Sequence, residues 1–569
     1  MAKTELETAQ ALIPQLTSQA ATFDVDAALD TFDQIADSTS SAASLTDDPI
    51  WRVAEFFPVL GKNFAAVRQL AAATSGVITE VAGPLLGVVE TLNPSSLVPK
   101  DGAIDLSPFE NAVPVISSAS QACLVLVKEI ASIDTDGTFD QIAGAKATVG
   151  DALESISSAL DMADRVVPIV PVALGSEGLR TYVVMFQNNA EPRALGGTAL
   201  SFAVITVDAG KIELTATIPA GFENFPVFDP PIVSTEAGVQ NFYSDAVLGG
   251  FIPNVTTRPS FVGAAEITQE TWRRTFGYEV DAIVSVDPVF LSYVLRATDP
   301  IALTTGDVLQ SDTIVPLLLN GVYQRFNTSD PRADNAAQDV VYSEAVSATF
   351  AALTSGALKP PELLAAIAQG WSEERLLMWS AHEDEQRVLA EFGLPGELPI
   401  SDEATDRFGV YFQDNVGSKL GYYLRQVVRL ESANCRDDGR AVYRVSVDVA
   451  HTLDPAEVDG LSASIAGTWL AEGVPRAWQR LIVMIYAPPG AELISANIDG
   501  QTVPTSARFD SDRPVERNTI EIAPGTMRTL TFDYVALKVG TKTLEAKITP
   551  LVNPTELTVG PLDCTTVAG

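Results

Sequence analysis

The period of the hydrophobic pattern changes twice along this chain, and each change limits the fold that the segment can adopt. From residue 1 to about 175, apolar residues recur every three to four positions, which is typical of helices that bury one face. From 176 to about 425, short apolar runs alternate with helical stretches, which indicates a mixed sheet covered by helices on both faces. From 426 onward, apolar and polar residues alternate. We therefore predict a multidomain α+β protein, with a helical domain over 1–175, a mixed α/β sheet domain over 176–425 and an immunoglobulin-like β-sandwich over 426–569.

The helical region contains one well-marked helix start at Asp48-Pro49. Asp is favoured as the N-cap, and Pro is favoured in the first helical position. The residues that follow predict a helix whose apolar face consists of Ile50, Val53, Phe56 and Phe57.

The composition is globular but strongly acidic. Hydrophobic residues make up 46% and charged residues 19% of the 569 residues, and 36 Lys and Arg face 73 Asp and Glu, for a formal net charge of −37. This balance argues against a nucleic-acid-binding protein and disfavours docking on a bare anionic lipid surface. No stretch approaches the roughly 18 consecutive apolar residues of a membrane span, and Met1 to Glu5 do not begin a signal peptide. The chain is therefore either a cytoplasmic protein or one whose leader or anchor has been removed.

The three cysteines bear on this choice of compartment. Cys123 lies on the apolar face of a predicted helix and is expected to be a buried free thiol. Cys435 and Cys564 lie at the two ends of the strand-rich region, so we predict a disulfide that clamps its first and last strands. That disulfide would indicate an oxidising, extracytoplasmic compartment. The alternative is two unrelated thiols in a cytosolic protein.

Several common catalytic patterns do not occur in the sequence. His382 and His451 are the two histidines, and they lack metal-ligand spacing. No nucleophile elbow or dinucleotide-binding fingerprint occurs, and Gly417-Ser418-Lys419 has the wrong residue order for a phosphate loop. Residues 134–140 resemble part of a calcium loop, although an Asp-Gly turn before a helix explains them as well.

The densest polar cluster spans residues 187–198, which we expect to form a loop between two buried strands. Ligands usually bind at such strand ends in α/β sheets. Arg193 could bind an anion, and two glycines permit close approach of the backbone. Alternatively, Arg193 pairs with Glu191 and the cluster only shapes a turn. The binding candidates here are Asn188, Glu191, Arg193, Gly196 and Gly197.

Two further polar clusters lie at residues 325–335 and 413–423. Each combines cationic and polar side chains, and each also suits a solvated turn. The candidates in them are Arg325, Arg332, Asp414, Lys419 and Tyr422.

These clusters resemble the signature of the domain of unknown function 4012 family. The resemblance rests on Phe186–Glu191 with Arg193, Gly196 and Gly197, on Leu376–Ser380 with Glu385 and Gln386, and on Gly409–Tyr411 leading to Asp414, Gly417–Lys419, Tyr422 and Tyr423. It covers nearly the whole chain. It implies an actinobacterial surface protein with a short cytoplasmic tail and one membrane helix before residue 1, and an acidic ectodomain facing the cell wall.

The α/β region also resembles, more faintly, the LytR–CpsA–Psr family, which transfers glycopolymers from polyprenyl pyrophosphate carriers with Arg residues, an Asp and Mg²⁺. The order of strand, polar loop and hairpin ending at Ile218-Pro219 runs parallel to that family. Two positions depart from it. Leu195–Thr198 lacks the metal-binding Asp, and Pro219–Gly221 lacks a phosphate-binding Arg.

The leading hypothesis is a cell-envelope surface protein whose α/β domain binds a cell-wall glycopolymer or its polyprenyl-phosphate carrier around Arg193, without the usual catalytic set of the LytR–CpsA–Psr family. One alternative is an active phosphotransferase with a rearranged metal site that uses Asp287 or Asp414. The other is a structural ectodomain that contacts surface proteins. No cofactor is certain, and Mg²⁺ or Ca²⁺ are the candidates. We expect the protein on the extracellular face of the membrane, held by an N-terminal helix absent from this sequence.

Overall fold

The computed structural model forms two compact units, residues 1–179 with 207–212 and residues 180–206 with 213–569. The residues that the structure describes are 2–21, 24–58, 60–92, 96, 98–100, 102–233, 239, 242–328, 330–467, 473–505 and 508–567. The architecture is mixed α+β, with an N-terminal helical region followed by several β-sheets, as the sequence predicted.

The first unit is helical. Its helices are α1 (Ala2–Ala21), α2 (Val25–Thr46), α3 (Pro49–Ala54), α4 (Gly61–Gly76), α5 (Gly83–Thr91), α6 (Ser107–Ser132), α7 (Asp140–Val166) and α8 (Ile169–Ala173). A π-helical segment, Val77–Ala82, joins α4 to α5. The carboxylate of Asp48 accepts the N–H of Ile50 at 2.7 Å, so the predicted N-cap of α3 is confirmed. The predicted apolar face of α3 is exposed to solvent.

The core of this unit lies between α4, α6 and α7, where Leu70, Leu126 and Leu153 pack together. Cys123 lies in this core as a buried free thiol, as predicted. Burial raises the pKa of its thiol. Reactivity requires the thiolate, so this cysteine is expected to be inert in the folded protein.

Two helices in the described part of the chain are long and apolar enough to cross a membrane: the continuous helix Gly61–Thr91 and α6. Neither helix contains a long uninterrupted apolar run, because small and polar residues are scattered among the apolar ones. Core helices of soluble proteins meet the same criterion, and one face of α6 is buried against α7.

A five-stranded sheet opens the second unit, in the order β3-β2-β1-β4-β7. β1 and β4 are parallel, with Phe186 opposite Val286, and β4 and β7 are antiparallel. The strands are β1 (Arg180–Arg193), β2 (Gly196–Asp208), β3 (Lys211–Pro219), β4 (Ala282–Val286), a small separate pair β5 (Ile301–Ala302) and β6 (Val308–Leu309), and β7 (Leu377–Ser380). The α-helices are α9 (Asp245–Gly249), α10 (Phe261–Phe276), α11 (Pro288–Val294), α12 (Ile314–Pro316), α13 (Val322–Arg325), α14 (Pro331–Thr354), α15 (Pro360–Ser372) and α16 (Glu383–Glu391).

Two further sheets pack face to face through a common apolar core and form a β-sandwich. Their orders are β13-β12-β16-β10-β9-β18 and β14-β15-β11-β8-β17. The strands are β8 (Thr405–Asp414), β9 (Leu424–Ala433), β10 (Arg440–His451), β11 (Gln479–Tyr486), β12 (Glu492–Ile498), β13 (Gln501–Thr502), β14 (Arg508–Asp510), β15 (Arg513–Ile522), β16 (Met527–Val539), β17 (Thr543–Ile548) and β18 (Glu556–Pro561). One short helix, α17 (Ala463–Ala466), lies between β10 and β11.

The sandwich and the α/β sheet share a second core. Tyr411 of β8 and Met484 of β11 point away from the sandwich interior and pack in one cluster with Phe202 and Trp272 of the α/β region. The sequence placed β8 before the boundary at 425, but β8 pairs with β11 and β17 and is a strand of the sandwich. The hydrophobic pattern cannot distinguish these assignments, because it does not specify the sheet that a buried strand joins.

The predicted disulfide between Cys435 and Cys564 is present, with Cα atoms 5.3 Å apart. It links the segment after β9 to the segment after β18, and these two strands pair in parallel. The bond therefore fastens the last strand of the chain to its neighbour.

Candidate functional site

The polar segment that follows the first buried strand is itself part of the strand. β1 runs on to Arg193, and only Ala194 and Leu195 form the turn into β2. The prediction of a loop over 187–198 is therefore wrong. β4 ends opposite Phe186, so residues 187–193 extend beyond it and lie instead against β8 and the turn Leu420–Tyr423.

Three consecutive amides in this extension bond to residues distant in the sequence. Gln187 Nε2 donates to Ser285 Oγ at 2.7 Å. Asn188 Nδ2 donates to the hydroxyl of Tyr323 at 2.6 Å. Asn189 Nδ2 donates to Asp287 Oδ2 at 2.9 Å. Because a buried polar group is costly unless it is hydrogen-bonded, these contacts explain how so polar a strand can be buried.

Gly196 and Gly197 permit a close approach of the backbone. They do not form a pair of ligand-binding N–H groups, because the N–H of Gly197 already donates to Gln187 Oε1 at 2.7 Å. A Cβ atom at Gly197 would lie 2.2 Å from the backbone carbon and oxygen of Asn188, so no larger residue fits. Gly196 has a φ of +131°, a conformation that favours glycine. Both positions are thus explained by the β1–β2 connection.

Glu191 is the centre of a buried ion cluster. Arg193 Nη2 donates to Glu191 Oε1 at 3.0 Å, and Lys419 Nζ donates to Glu191 Oε2. Burial alone would raise the pKa of the Glu191 carboxyl, but the charges of Lys419 and Arg193 outweigh it and lower the pKa. The pairing of Arg193 with Glu191, left open as an alternative by the sequence, is what the structure contains. Lys419 Nζ also lies 5.4 Å from the centre of the Tyr323 ring.

Asp414 shapes the loop after β8. Its Oδ2 accepts the N–H groups of Val416, Gly417 and Ser418, at 3.2, 2.6 and 3.2 Å. Its Oδ1 accepts from Ser418 Oγ at 2.9 Å and from Gln479 Nε2 at 2.6 Å. Burial raises the pKa of the Asp414 carboxyl. With five donors around it, this carboxylate is saturated and has no lone pair left for a metal ion.

Asp287 is likewise engaged. Its Oδ1 accepts the N–H of Phe290 at 2.7 Å and caps α11, while Oδ2 accepts from Asn189 and from Arg375 Nη1 at 2.8 Å. Burial raises the pKa of the Asp287 carboxyl. No sequence pattern predicted Arg375, which also donates to Glu373 and to the carbonyl of Leu551. The one sequence feature that indicates burial of Arg375 is its position just before the apolar residues of β7.

The other candidates do not converge on Arg193. Arg325 forms two hydrogen bonds with Asp307, at 2.7 and 2.5 Å, and Arg332 is exposed at the start of α14. Tyr422 stacks edge-on against Tyr423 with ring centres 5.2 Å apart. Ser329, in the same predicted cluster as Arg325, lies outside the described residues.

A second ionic cluster lies at the opposite ends of β1 and β4, and the sequence did not indicate it. Arg180 Nη1 and His382 Nε2 both contact Asp281 Oδ1, at 3.1 and 2.8 Å. Arg180 Nη2 donates to Glu385 Oε1 at 3.2 Å, and Ser380 Oγ donates to Glu385 Oε2 at 2.6 Å. The pKa of the Asp281 carboxyl is lowered, because its hydrogen bonds with Thr181, His382 and Arg180 outweigh the effect of burial.

The space beyond the parallel strands, where α/β folds usually bind ligands, is filled. Ala190 packs against Leu319 and Val552, with Tyr422 beside them. A cavity of about 10 Å³, lined in part by Ala194, Leu195 and Pro550, lies at the β1–β2 turn and has room for about one water molecule. Across the described ranges, no three His, Cys, Asp or Glu residues are grouped as a metal site.

Comparison with known proteins gives a family match over part of the chain and weak structural likenesses. No curated protein sequence matches the chain. A crystal structure of a "putative nutrient binding protein" from Legionella pneumophila aligns at 7% identity with a TM-score of 0.15, over 24% of this chain and 44% of that protein's length, too weak a likeness to support any inference. Residues 177–323 of the 569 match the family described as "Protein of unknown function (DUF4012)", which supports the predicted resemblance to that family over this range, while the motifs at 376–386 and 409–423 lie outside the match.

Proposed function

We propose that this protein is a non-catalytic, extracytoplasmic surface protein whose α/β sheet and β-sandwich act as one rigid module for contacts with other surface proteins. One observation carries the proposal. The polar signature residues that suggested a binding site form a buried network between the two layers, centred on the Glu191 ion cluster and on Asp414. Apart from Asn189 Oδ1 and Arg193 Nε, the buried side-chain polar atoms of these signature residues are hydrogen-bonded within the fold.

The disulfide between Cys435 and Cys564 supports the extracytoplasmic location, because such bonds persist mainly in oxidising compartments. The net charge of −37 suits a soluble ectodomain. The five donors around Asp414 and the three around Asp287 argue against the alternative of a phosphotransferase, because these carboxylates would have to release donors before they could hold Mg²⁺.

A second candidate function is binding of a glycopolymer or its polyprenyl-phosphate carrier, and one observation favours it. Among the described residues, Arg193 Nε and Asn189 Oδ1 are buried and have no hydrogen-bond partner. Arg193 and Lys419 also bring two cations to one carboxylate, which a phosphate group could displace. This function requires that the loop 415–423 move aside.

Unfolding and ligand titration together distinguish the two functions. Under the scaffold proposal, Arg193→Gln lowers the denaturant midpoint, whereas Arg332→Gln, at an exposed arginine, leaves it unchanged. A short-chain polyprenyl pyrophosphate, with or without Mg²⁺, then neither raises the melting temperature nor forms a complex in native mass spectrometry. If a complex forms and Arg193→Gln abolishes it, carrier binding replaces the scaffold proposal. Release of monophosphate with Mg²⁺ identifies an enzyme.

The finer fold assignments are also proposals. A LytR–CpsA–Psr-like α/β domain is supported by the mixed sheet with its parallel β1–β4 pair. An immunoglobulin-like sandwich is supported by the two face-to-face sheets, although β17 and β18 each pair in parallel with a neighbour, which departs from the purely antiparallel immunoglobulin pattern.

A further inference from the structure

Four highly exposed apolar residues of the helical unit lie together on and just after α3. Ile50, Val53, Phe56 and Phe57 are 80%, 63%, 87% and 61% exposed. We call these four residues the apolar tip. None of the six residues of α3 is buried. The sequence pattern predicts that these residues form the packed face of a helix, but in the structure they face solvent.

The tip is held firmly in this position. Trp51, between two tip residues, donates its indole N–H to the carbonyl of Phe64 at 2.9 Å, and the two rings meet edge to face at 5.1 Å. Glu55 forms an ion pair with Arg68 at 2.5 Å. These contacts fix α3 against α4 from its opposite side, so the exposure belongs to the folded state.

The area and chemistry of the tip favour a lipid surface over a protein partner. Four such side chains present on the order of 500 Å² of apolar surface, below the roughly 800 Å² per partner of a stable protein interface. The tip offers no hydrogen-bonding group, whereas protein hot spots are rich in Tyr, Trp and Arg. A set of highly exposed Phe and aliphatic residues is suited to insertion among lipid acyl chains near the headgroups.

The charges around the tip specify the kind of lipid surface. The nearby cations are each paired with an acid, in the pairs Arg52–Asp47, Lys62–Asp134 and Arg68–Glu55. The surface around the tip therefore has no surplus of positive charge to attract anionic lipid. The whole chain carries a formal net charge of −37.

We infer that the apolar tip inserts into the interface of a lipid bilayer of low surface charge. This inference goes beyond the proposed scaffold function and does not depend on the Glu191 network. It adds a peripheral membrane contact made by residues of this chain.

Flotation of the full chain with lipid vesicles tests the inference. Wild-type protein is expected to float with phosphatidylcholine vesicles, and less with vesicles that also contain phosphatidylglycerol. The double variant Phe56→Ser/Phe57→Ser should lower the bound fraction by about tenfold. The matched control, Phe222→Ser/Phe509→Ser, removes two exposed phenylalanines of the second unit and should bind like wild type.

Three outcomes would overturn the inference. These are failure of wild-type protein to float with phosphatidylcholine vesicles, equal binding of the two double variants, and stronger binding to anionic than to neutral vesicles. Sedimentation velocity without lipid tests the remaining possibility, that the tip binds a second copy of the chain. If wild type dimerises and Phe56→Ser/Phe57→Ser does not, the tip is a protein interface. Equal circular dichroism spectra and melting temperatures establish that both variants fold.

Discussion

Lys419 Nζ donates to Glu191 Oε2, so the loop after β8 of the sandwich forms a buried ion pair with β1 of the α/β sheet. The two residues are separated by 228 positions in the chain. Arg193 bonds the second carboxylate oxygen, so the carboxylate is shared between two cations. Such a cluster fixes the register of two layers that apolar packing alone would leave less specific, a role attested for other buried polar groups.

Removing one cation of this cluster should weaken the fold. We expect Lys419→Met to lower the free energy of unfolding by about 3 kcal/mol, because Glu191 stays buried with one cation fewer. Urea unfolding followed by tryptophan fluorescence measures the loss. Lys538→Met, at an exposed position of β16, should change it by less than about 0.5 kcal/mol.

A double-mutant cycle separates the ion pair from general effects of substitution. Glu191→Gln and Lys419→Met should couple by more than about 1 kcal/mol, because the two side chains contact each other. A coupling near zero would contradict the assignment of Glu191 as the shared partner.

Gly197 should tolerate no side chain. In Gly197→Ala the Cβ atom would lie 2.2 Å from the backbone of Asn188, so β1 and β2 must separate locally. We expect a loss of more than about 3 kcal/mol, or insoluble protein. Gly460→Ala is the control, because its Cβ would meet no atom within 4 Å. If both variants unfold at the same urea concentration, the close approach at Gly197 is not as described.

Local signals in the sequence predicted a substantial part of the structure. The Asp48 cap, the buried Cys123 and the Cys435–Cys564 bond each follow from short-range pattern or from the position of the two cysteines at the ends of one strand-rich region. The change of hydrophobic period separated helical from strand-rich regions, because burial on one face imposes that period.

The candidate site could not be predicted in the same way. Residues 187–193 contain Asn, Glu, Pro and Arg, which have low strand propensity, and their partners Ser285, Tyr323 and Asp287 lie 98, 135 and 98 positions away. These tertiary contacts override the local preference for a loop. The same limit explains why the sequence analysis assigned β8 to the α/β domain. The hydrophobic pattern of a buried strand does not indicate which sheet the strand joins.

The disulfide should stabilise the sandwich through its long loop. Its cysteines are 129 positions apart, so the chain-entropy model gives about 5 kcal/mol for the cross-link. We expect Cys435→Ser/Cys564→Ser to unfold at lower urea and to show faster amide exchange in β18, the strand next to Cys564. Wild type with dithiothreitol should match the variant. If reduction leaves the urea midpoint unchanged, the bond does not contribute to stability.

Peptide mapping under non-reducing conditions checks the pairing directly. Only Cys123 should be alkylated, and only after unfolding, because it is buried in the native protein. Alkylation of Cys435 and Cys564 in the native, non-reduced protein would remove the chemical support for an extracytoplasmic location.

His451 should make the fold sensitive to acid. It is 1% exposed, its Nε2 lies 3.1 Å from the carbonyl oxygen of Ala477, and its Nδ1 accepts the N–H of Leu453 at 3.4 Å. These contacts suit the neutral ring, and burial lowers the pKa of His451 to about 4. The unfolded chain, with a pKa near 6.5, therefore binds a proton that the folded state excludes, and stability falls as the pH drops from about 6.5 towards 4.

The size of this effect follows from the difference between the two pKa values, on the order of 3 kcal/mol by pH 4. His451→Gln lacks the titrating group, so its urea midpoint should move closer to that of wild type, or above it, as the pH is lowered from 7 to 4.5. Comparison with wild type at each pH cancels the contribution of carboxylates common to both proteins. Because the chain has only two histidines, their ring protons can be followed individually by NMR. A His451 ring that becomes protonated near pH 6.5 in the folded protein would contradict its burial as a neutral group.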